Sequence, residues 1–474
     1  MVSQEVRDIE REIDLFIENL PIWTTKRDVL LTRLMEVWRD GLEVVALTLS
    51  HALTFNIEGG LEKSIAQEYQ LVTGVYQALK WAMMYASENG PEELDTRVLT
   101  ELVLKTASRY QILVDALKMG ARDRVEFTID HASKTLTIFE GGDLTGYDEE
   151  LLRRGHLTTP FHAQSPLVED SDQLATDWSA GQGREYWRWL NNIAEKAETE
   201  TIMARAGPIA PVDEVMKRPV VIELPIPPAT LEKVQRDLTL TVAKVRSPLN
   251  WKLDTWHDCP LIQIGDGVFG VSLALRTIQT MRDDYLLRAA VLNDPTQYEK
   301  ASGLREDRMI AACRKAFEKE GWVFTPRYLL SNPAREIDGY AQRGSEILIV
   351  QLKSTLRPQS PWEVFKRNTE VIEGIRHTAE MVRRIGLSAK GIVITDGYAG
   401  DYATWQESIK TGIPVGTLDD LALIASDPVT AFSTLAARAG IGEKAASVNT
   451  PERKVSLGPW TLRMIDQSIG NTAA

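Results

Sequence analysis

The sequence predicts an α/β domain near the C-terminus, preceded by an α-helical N-terminal domain and an α+β middle region. Apolar residues recur every three or four positions through residues 4–120, apolar and polar residues alternate from Arg124 onwards, and strand-like runs interleave with helical ones after residue 300. The first spacing buries one face of a helix, and the second buries one face of a strand. The predicted divisions are 1–122 (helical), 123–298 (α+β, with a long loop near 141–185), 299–426 (α/β) and 427–474 (a helix and a flexible tail).

The N-terminal region carries no catalytic constellation that we can identify. Arg124–Glu140 alternates across a His131-Ala132-Ser133 turn and predicts a β-hairpin. The amphipathic patterns before it predict four long helices, which begin near Ile9 and continue through Val29–Leu53, Leu61–Ala86 and Leu94–Met119. We expect this region to mediate self-association, as a homo-oligomer, or to bind a partner protein.

The composition is that of an ordinary globular protein. Hydrophobic residues make up 43% and charged residues 26% of the 474 positions, and no run of about 18 apolar residues predicts a membrane span. Cys259 and Cys313 are the only cysteines, too few for a disulfide framework or a zinc site. The charged N-terminus has no apolar signal-peptide core, so we expect a cytoplasmic protein with no membrane partner.

The charge is unevenly distributed along the chain. The net charge is −13, yet the 22 Lys and Arg residues between 301 and 474 slightly outnumber the 20 Asp and Glu residues there. The acidic region before residue 301 is therefore not expected to be the main nucleic-acid-binding surface, whereas the charge balance after residue 300 permits contact with phosphates.

The chain is organised around Arg335–Pro358, which predicts two strands joined by a turn. Glu346–Leu352 has the β-branched, apolar composition of a strand buried on both faces. Gln351 and Lys353 are two residues apart and leave the same face of that strand, and hairpin pairing brings Asp338 beside them. Polar groups at the end of a buried strand are costly, and a metal site with a phosphodiester substrate would explain that cost.

The spacing Asp338, twelve residues, Gln351, one residue, Lys353 resembles the PD-(D/E)XK nuclease superfamily, and most closely its Mrr-like restriction endonucleases. The resemblance covers roughly residues 300–425 and implies a restriction-endonuclease-like fold with an αβββαβ core and a mixed sheet. The flanking pattern agrees with it: a helix at Leu304–Glu320 before the motif, and after it a helix from about Pro361 to Ile385, a strand at Gly391–Thr395, a helix near Tyr402–Lys410 and a strand at Ile413–Leu418.

The resemblance implies a Mg²⁺ cofactor, for which Mn²⁺ can substitute, and a role for each matching residue. Asp338 would be the primary ligand, while Gln351 would offer its side-chain oxygen and Leu352 its main-chain carbonyl. Lys353 would orient or deprotonate the attacking water and stabilise the transition state.

Gln351 departs from the superfamily's usual Glu, and an amide holds a cation more weakly than a carboxylate does. A second acid would offset that loss. Glu306 is preferred over Asp307, because it shares the helix face of Met309 and because Mrr-like enzymes place a glutamate early in this helix. Glu336 shares the strand face of Asp338 and is the reserve candidate.

The resemblance therefore implies a metal-dependent endonuclease, and we expect its substrate to be DNA, most simply double-stranded. By analogy it would be a prokaryotic restriction or anti-phage effector that is regulated by its N-terminal region. The alternative is a catalytically inactive nuclease-fold protein that binds nucleic acid or acts as a scaffold. An Asp and a Lys on adjacent strands can also form a simple ion pair.

Several other features have competing interpretations. Lys366, Arg367 and Arg376 could contact DNA phosphates or could pair with glutamates on their own helix, and His377 is similarly ambiguous. Gly265–Gly270 matches a dinucleotide-binding pattern, but Asp266-Gly267 predicts the tight turn of a hairpin instead. Trp187 and Trp189 cannot share a helix face, so at most one is buried, and core packing is favoured over base stacking.

Overall fold

The computed structural model divides into two compact units. The first comprises residues 1–164, 169–297 and 450–474, and the second comprises 165–168 and 298–449. The predicted helical and middle regions therefore both fall in the first unit. The residues that the structure describes are 2–54, 60–121, 125–140, 168–175, 177–206, 220–246, 259–271, 282–293, 296–330, 335–354, 361–386, 389–396, 402–435 and 452–466.

Helices dominate the first part of the first unit, as predicted. In the first helix Val6, Ile9, Ile13 and Ile17 form a buried stripe at three- and four-residue spacing, and the Ser3 hydroxyl accepts a hydrogen bond from the Val6 N–H. No helix of the described residues is long and apolar enough to cross a membrane. The helices are α1 (Gln4–Glu18), α2 (Arg27–Thr54), α3 (Gly60–Tyr85), α4 (Thr96–Glu101) and α5 (Ser108–Gly120), with a π-helical turn at Leu102–Ala107 between the last two and a 3₁₀ turn at Pro21–Thr24.

The predicted hairpin is present and belongs to a sheet that the C-terminal tail completes. Strands β1 (Glu126–Asp130) and β2 (Thr135–Glu140) pair antiparallel. Residues 428–435 are helical, as expected, but the flexible tail predicted for 427–474 is wrong at 452–466. These residues form a second hairpin because Leu457, Trp460, Leu462 and Met464 alternate and are buried, and its later strand pairs parallel with β2.

The middle region is mixed, as predicted, but strands and a helix begin before the predicted end of its long loop. Residues 141–167 of that loop lie outside the described residues, but the prediction is wrong near its end, where two short strands lead into a helix that begins at Ala180. Strands β3 (Gln173–Ala175) and β4 (Trp178–Ser179) precede the helix α6 (Ala180–Ala206). The elements that follow are β5 (Val220–Glu223), α7 (Ala229–Leu238), β6 (Thr239–Leu240), α8 (Val242–Arg246), β7 (Leu261–Gly265), β8 (Val268–Val271) and α9 (Arg282–Asn293), with the sheet order β5-β8-β7-β6.

The second unit is a mixed α/β structure, and its helices and strands follow the predicted order. One five-stranded sheet has its first three strands antiparallel and the remaining pairs parallel. Its elements are α10 (Thr296–Lys319), β9 (Val323–Leu330), β10 (Arg335–Arg343), β11 (Glu346–Lys353), α11 (Pro361–Ile385), β12 (Ala389–Thr395), α12 (Tyr402–Thr411), β13 (Val415–Thr417) and α13 (Leu421–Ser426), and the strand order is β13-β12-β11-β10-β9.

Alternate residues of β11 face two different helices, α10 on one face of the sheet and α11 on the other. Leu348, Val350 and Leu352 are buried in a core that includes Met309 and Cys313 of α10. On the opposite face, Ile349 packs with Met381 of α11 and Ile337 of β10. Gln351 and Lys353 follow Ile349 in this alternation, so they belong to the face that α11 covers.

Candidate functional site

The site is built where β10 and β11 stop pairing through their main chains. Their antiparallel register ends at Gly339 opposite Val350. Asp338 directly precedes Gly339, and here a side chain replaces the main chain as the hydrogen-bond acceptor. The Asp338 Oδ2 accepts a hydrogen bond from the Leu352 N–H at 2.6 Å and another from the Gln351 Nε2. The carboxylate therefore occupies the place of a ladder hydrogen bond. The predicted juxtaposition of Asp338 and Gln351 is a direct contact in the structure.

The backbone around Asp338 is irregular in a way that explains this position. Ile337 packs on the α11 side of the sheet, whereas Ala341 packs on the α10 side. In a regular strand, residues four apart share a face, so β10 changes face close to Asp338. The register with β9 also omits the pair of Asp338 with Arg327, and Arg327 adopts φ +45°, which is unusual for a residue with a Cβ.

Burial makes Asp338 an unusual acid. The pKa of Asp338 is raised to about 6, chiefly by desolvation and also by the charges of Glu306 and Glu336, while the Leu352 N–H and the Lys353 charge oppose the shift. Its hydrogen bonds come from an amide and a main-chain N–H rather than from a cation. A cation bound beside Asp338 would therefore stabilise the ionised form of this carboxylate.

Gln351 and Lys353 share a face, as the sequence predicts. A Cβ added at Gly374 of α11 would lie 3.0 Å from the Lys353 Cε and 3.7 Å from the Gln351 Cγ. The glycine thus leaves room for the lysine stem between strand and helix. Gln351 is 7% exposed, and within the described residues its Oε1 has no hydrogen-bond partner. A buried acceptor without a donor is costly, so this oxygen is suited to a ligand.

The predicted second acid is near Asp338 without touching it. Glu306 is half-buried, acts on Asp338 through its charge, and has an oxygen 3.9 Å from the Arg327 Nη2. Asp307 pairs with the same arginine at 2.6 Å, and Glu336 is exposed. Across the described residues no three His, Cys, Asp or Glu side chains are grouped closely enough to hold a metal. Whether Glu306 or Glu336 completes a metal site stays a prediction.

A buried ion pair that sequence reasoning missed lies at the same edge of the sheet. The Arg305 Nη2 lies 2.5 Å from the Asp396 Oδ2, and the Ser354 hydroxyl donates to that same oxygen at 3.2 Å. Their side chains are 6% and 1% exposed. The signal was present, because Asp396 directly follows a buried parallel strand, and the carboxyl ends of such strands commonly line binding sites. This pair fixes α10 to β12 next to Lys353.

Two of the candidate phosphate-binding residues are already in ion pairs. Arg367 lies 2.7 Å from Glu370 on its own helix, and Arg376 makes two contacts with Glu407 of α12 at 2.9 and 3.2 Å. The prediction of a pair within the helix is therefore correct for Arg367, whereas the partner of Arg376 lies on a different helix from the one predicted. Lys366 is half-buried. His377 is half-buried too, and its Nε2 has no hydrogen-bond partner within the described residues.

The glycine-rich pattern forms a β-hairpin and not the strand, turn and helix of a dinucleotide-binding unit. Strands β7 and β8 pair antiparallel, with Gly265 opposite Val268, and Gly267 adopts φ +72° in the turn between them. A dinucleotide site would need a strand, a glycine turn and then a helix, so the hairpin interpretation is confirmed.

Trp187 is 1% exposed and belongs to the core, as favoured, while Trp189 is half-buried against Tyr186.

Comparisons with known proteins do not identify a family. No family model and no curated protein matches the chain. Among solved structures, a similarity is found to protein VC1899 from Vibrio cholerae, which is 12% identical over 72% of this chain and 74% of that one, with a TM-score of 0.19.

Proposed function

We propose that this protein is a metal-dependent endonuclease that hydrolyses DNA phosphodiester bonds at Asp338, Gln351 and Lys353. The observation that carries the proposal is the contact of the Asp338 carboxylate with Gln351 and the Leu352 N–H at the point where β10 and β11 separate. A half-buried acid with a raised pKa, an amide and a lysine converge there from two strands. A purely structural strand end has no reason to concentrate such groups.

The surrounding fold supports the proposal. Three antiparallel strands continue into two parallel ones, and α10 and α11 cover opposite faces of the sheet. This is the arrangement that a restriction-endonuclease-like domain of the PD-(D/E)XK type would have, with the motif at the end of its central strand. The fold alone does not specify chemistry, so the argument depends on the site.

The residues present suit a small divalent cation such as Mg²⁺ or Mn²⁺. Mg²⁺ prefers oxygen ligands and usually keeps several waters beside one or two carboxylates. Asp338 supplies the carboxylate, and the unpartnered Gln351 Oε1 supplies a neutral oxygen. In an extended strand the N–H and C=O of one residue lie on the same edge, so the Leu352 carbonyl lies on the edge from which its N–H reaches Asp338.

The chain's own residues then have distinct tasks. Asp338 holds the cation only when it is ionised, which its raised pKa restricts to pH values above about 6. When bound, the cation would activate a water and neutralise charge on the phosphate. Lys353 places an ammonium beside that position and stabilises the negative charge that develops on the phosphate oxygens. The pair of Arg305 with Asp396 holds the end of β12 beside Lys353.

The biological setting is proposed by analogy. A nuclease that is attached to a large region without catalytic groups suits a restriction or anti-phage effector whose activity is held off from host DNA. The first unit would then mediate homo-oligomerisation or bind a partner protein. Double-stranded DNA is the proposed substrate, and two sites acting together would be needed to break both strands.

The test is cleavage of supercoiled plasmid with Mg²⁺ or Mn²⁺. We expect wild type to nick or linearise the plasmid and Asp338→Ala and Lys353→Ala to lose at least about a hundredfold in rate. The exposed Lys315 provides a matched control, and Lys315→Ala should cut like wild type. Cutting that survives both site substitutions would reject the assignment.

A second candidate is a protein of the same fold that binds nucleic acid without cutting it. The observation that favours it is the lack of any three-acid group in the described residues. Salt-sensitive binding of duplex DNA, together with no cleavage in either metal, would support this alternative.

A further inference from the structure

A side-chain hydrogen bond follows the last residue pair between β11 and β12. The parallel register of the two strands ends at Lys353. One residue further along both strands, the Ser354 hydroxyl donates a hydrogen bond to the Asp396 Oδ2 at 3.2 Å. The residue before Lys353 is held from the other side, because the Leu352 N–H donates to Asp338 on β10. Lys353 therefore lies between two residues that are each hydrogen-bonded to a carboxylate.

The turn of α10 that carries Glu306 is also held at two points. Arg305 precedes Glu306, and its Nη2 lies 2.5 Å from the same Asp396 oxygen. Asp307 follows Glu306, and its Oδ1 lies 2.6 Å from the Nη2 of Arg327 on β9. Consecutive residues of a helix point about 100° apart, so the three side chains leave the helix in different directions. Glu306 thus lies between a contact to β12 and a contact to β9.

The two contacts of this helical turn differ in strength. The side chains of Arg305 and Asp396 are 6% and 1% exposed, whereas those of Asp307 and Arg327 are 59% and 52% exposed. An exposed ion pair contributes little to stability, because water and salt screen it. Breaking a buried pair leaves an uncompensated charge in the interior and costs much more. Asp396 is therefore the main anchor for the turn of α10 that carries Glu306.

We propose that Asp396 is a positioning residue for the cation site, which fixes Lys353 through the hydroxyl of Ser354 and Glu306 through the guanidinium of Arg305. Both contacts end on the same carboxylate oxygen, so one side chain joins the end of β11 to the start of α10. This inference rests on the proposed function, since it assigns positioning residues to the same site.

The two ends of this connection meet at the same acid. The charges of Glu306 and Lys353 both act on Asp338, the proposed cation ligand. Asp396 itself has a cationic partner in Arg305, so it is suited to hold neighbouring groups in place and not to bind a further cation. A displacement of either end should therefore change a different property: the lysine the rate of cleavage, and the glutamate the affinity for the cation.

The test compares substitutions that remove one contact or both. Ser354→Ala removes the hydroxyl and leaves the buried ion pair in place, while Ser354→Thr returns a hydroxyl. Asp396→Asn keeps the shape of the side chain and weakens both contacts. Ser408→Ala is the matched control, because this buried hydroxyl donates to the Ile413 carbonyl at 2.7 Å, just before the start of β13 and away from the carboxyl ends of the strands. All proteins are assayed well below their unfolding midpoints.

We expect Ser354→Ala to lower the rate of plasmid cleavage at saturating DNA about five- to twentyfold, with KM unchanged, because the proposed role of Lys353 depends on its exact position. Ser354→Thr should recover most of that rate. The affinity for Mn²⁺, read from the free Mn²⁺ signal in electron paramagnetic resonance without nucleic acid, should be unchanged in Ser354→Ala and about three- to tenfold weaker in Asp396→Asn. The double variant should cut no more slowly than Asp396→Asn alone, since the hydroxyl acts through that carboxylate.

An equal loss of rate in Ser408→Ala and Ser354→Ala would overturn the inference, because it would indicate a general effect of lost stability. Full activity of Ser354→Ala, or losses that simply add in the double variant, would overturn it too. If Asp396→Asn does not fold, the comparison of Ser354→Ala with Ser408→Ala decides. If wild type neither cuts plasmid nor binds Mn²⁺, or if Asp338→Ala binds Mn²⁺ equally well, the proposed function fails and this inference fails with it.

Discussion

Buried charge is handled differently in the two units of the protein. In the first unit the Arg184 guanidinium makes two parallel contacts with Asp283, at 3.0 and 2.7 Å, and both side chains are almost fully buried. Their attraction holds the pKa of Arg184 above its ordinary range. In the second unit Asp338 is half-buried, with an amide and a main-chain N–H as its hydrogen-bond donors, and its pKa is raised to about 6.

The difference separates a structural site from a candidate functional one. A buried acid that is matched by a cation in a bidentate pair is satisfied, and it has nothing left to offer a ligand. When the hydrogen-bond donors of a desolvated acid are all neutral, ionising that acid still costs free energy. A cation bound from solution can lower this cost. Loss of Arg184 is thus expected to destabilise the first site, whereas neutralisation of Asp338 is expected to stabilise the second, and the predictions below test that contrast.

The largest effect is expected when the satisfied pair is broken. Arg184→Met leaves Asp283 buried without its partner and should lower the free energy of unfolding by about 3 to 5 kcal/mol. Urea denaturation followed by circular dichroism measures the change. Arg188 lies on the same helix and is exposed, so Arg188→Met should change stability by less than about 0.5 kcal/mol. Equal effects of the two substitutions would remove the contrast.

The opposite sign is expected at Asp338. Its pKa of about 6 in the folded state lies above the ordinary 3.8, so the folded protein bears the full cost of ionisation above pH 6 and none below about pH 4. Wild type should therefore lose stability, relative to Asp338→Asn, as the pH rises through this window. The variant should gain up to about 3 kcal/mol at pH 7.5 with EDTA present, and the gain should vanish near pH 4.

Urea denaturation of both proteins at the two pH values checks this prediction. A variant that is less stable than wild type at pH 7.5 would show that Asp338 is a satisfied structural acid, like Asp283.

The smallest effect is expected at Gly374. A methyl group there would lie 3.0 Å from the Lys353 Cε, which must shift by a few tenths of an ångström. Gly374→Ala should change stability by less than about 1 kcal/mol, because the gain in helix propensity offsets the crowding. Under the proposed function, plasmid cleavage should fall about three- to tenfold, since catalysis is sensitive to small displacements of a group with the role proposed for Lys353.

The matched control for this substitution is Gly303, a helical glycine with no atom within 4 Å of the added Cβ. Gly303→Ala should leave cleavage unchanged and slightly raise stability. Equal losses of cleavage at both positions would argue that Lys353 is not the group affected.

Local patterns in the sequence sufficed for the hairpin of β10 and β11 and for the shared face of Gln351 and Lys353. Period-two alternation and a glycine turn determine such elements within a few residues. The same signal was present in the tail, where Leu457, Trp460, Leu462 and Met464 alternate around Gly458-Pro459. Its parallel pairing with β2 joins residues more than 300 positions apart, and local periodicity carries no information about such a partner.

The details of the site depended on tertiary structure. The face change in β10 accompanies the positive φ of Arg327 on the neighbouring strand. An arginine does not favour positive φ, so its residue type could not predict this conformation. The pairing of Arg305 with Asp396 likewise joins a helix to a strand end 91 residues away. Sequence spacing located the acid, the amide and the lysine, whereas burial and hydrogen bonding decided how each is held.

The most direct test of the cation site is calorimetric titration of Mn²⁺ into wild type and Asp338→Asn at pH 6 and pH 8, in buffers of different ionisation enthalpy. Because the pKa of Asp338 is about 6, binding at pH 6 should release about half a proton per site in wild type and almost none at pH 8. Asp338→Asn should bind much more weakly and release none. Equal binding by both proteins, with the same proton release, would contradict the assignment of Asp338 as the cation ligand.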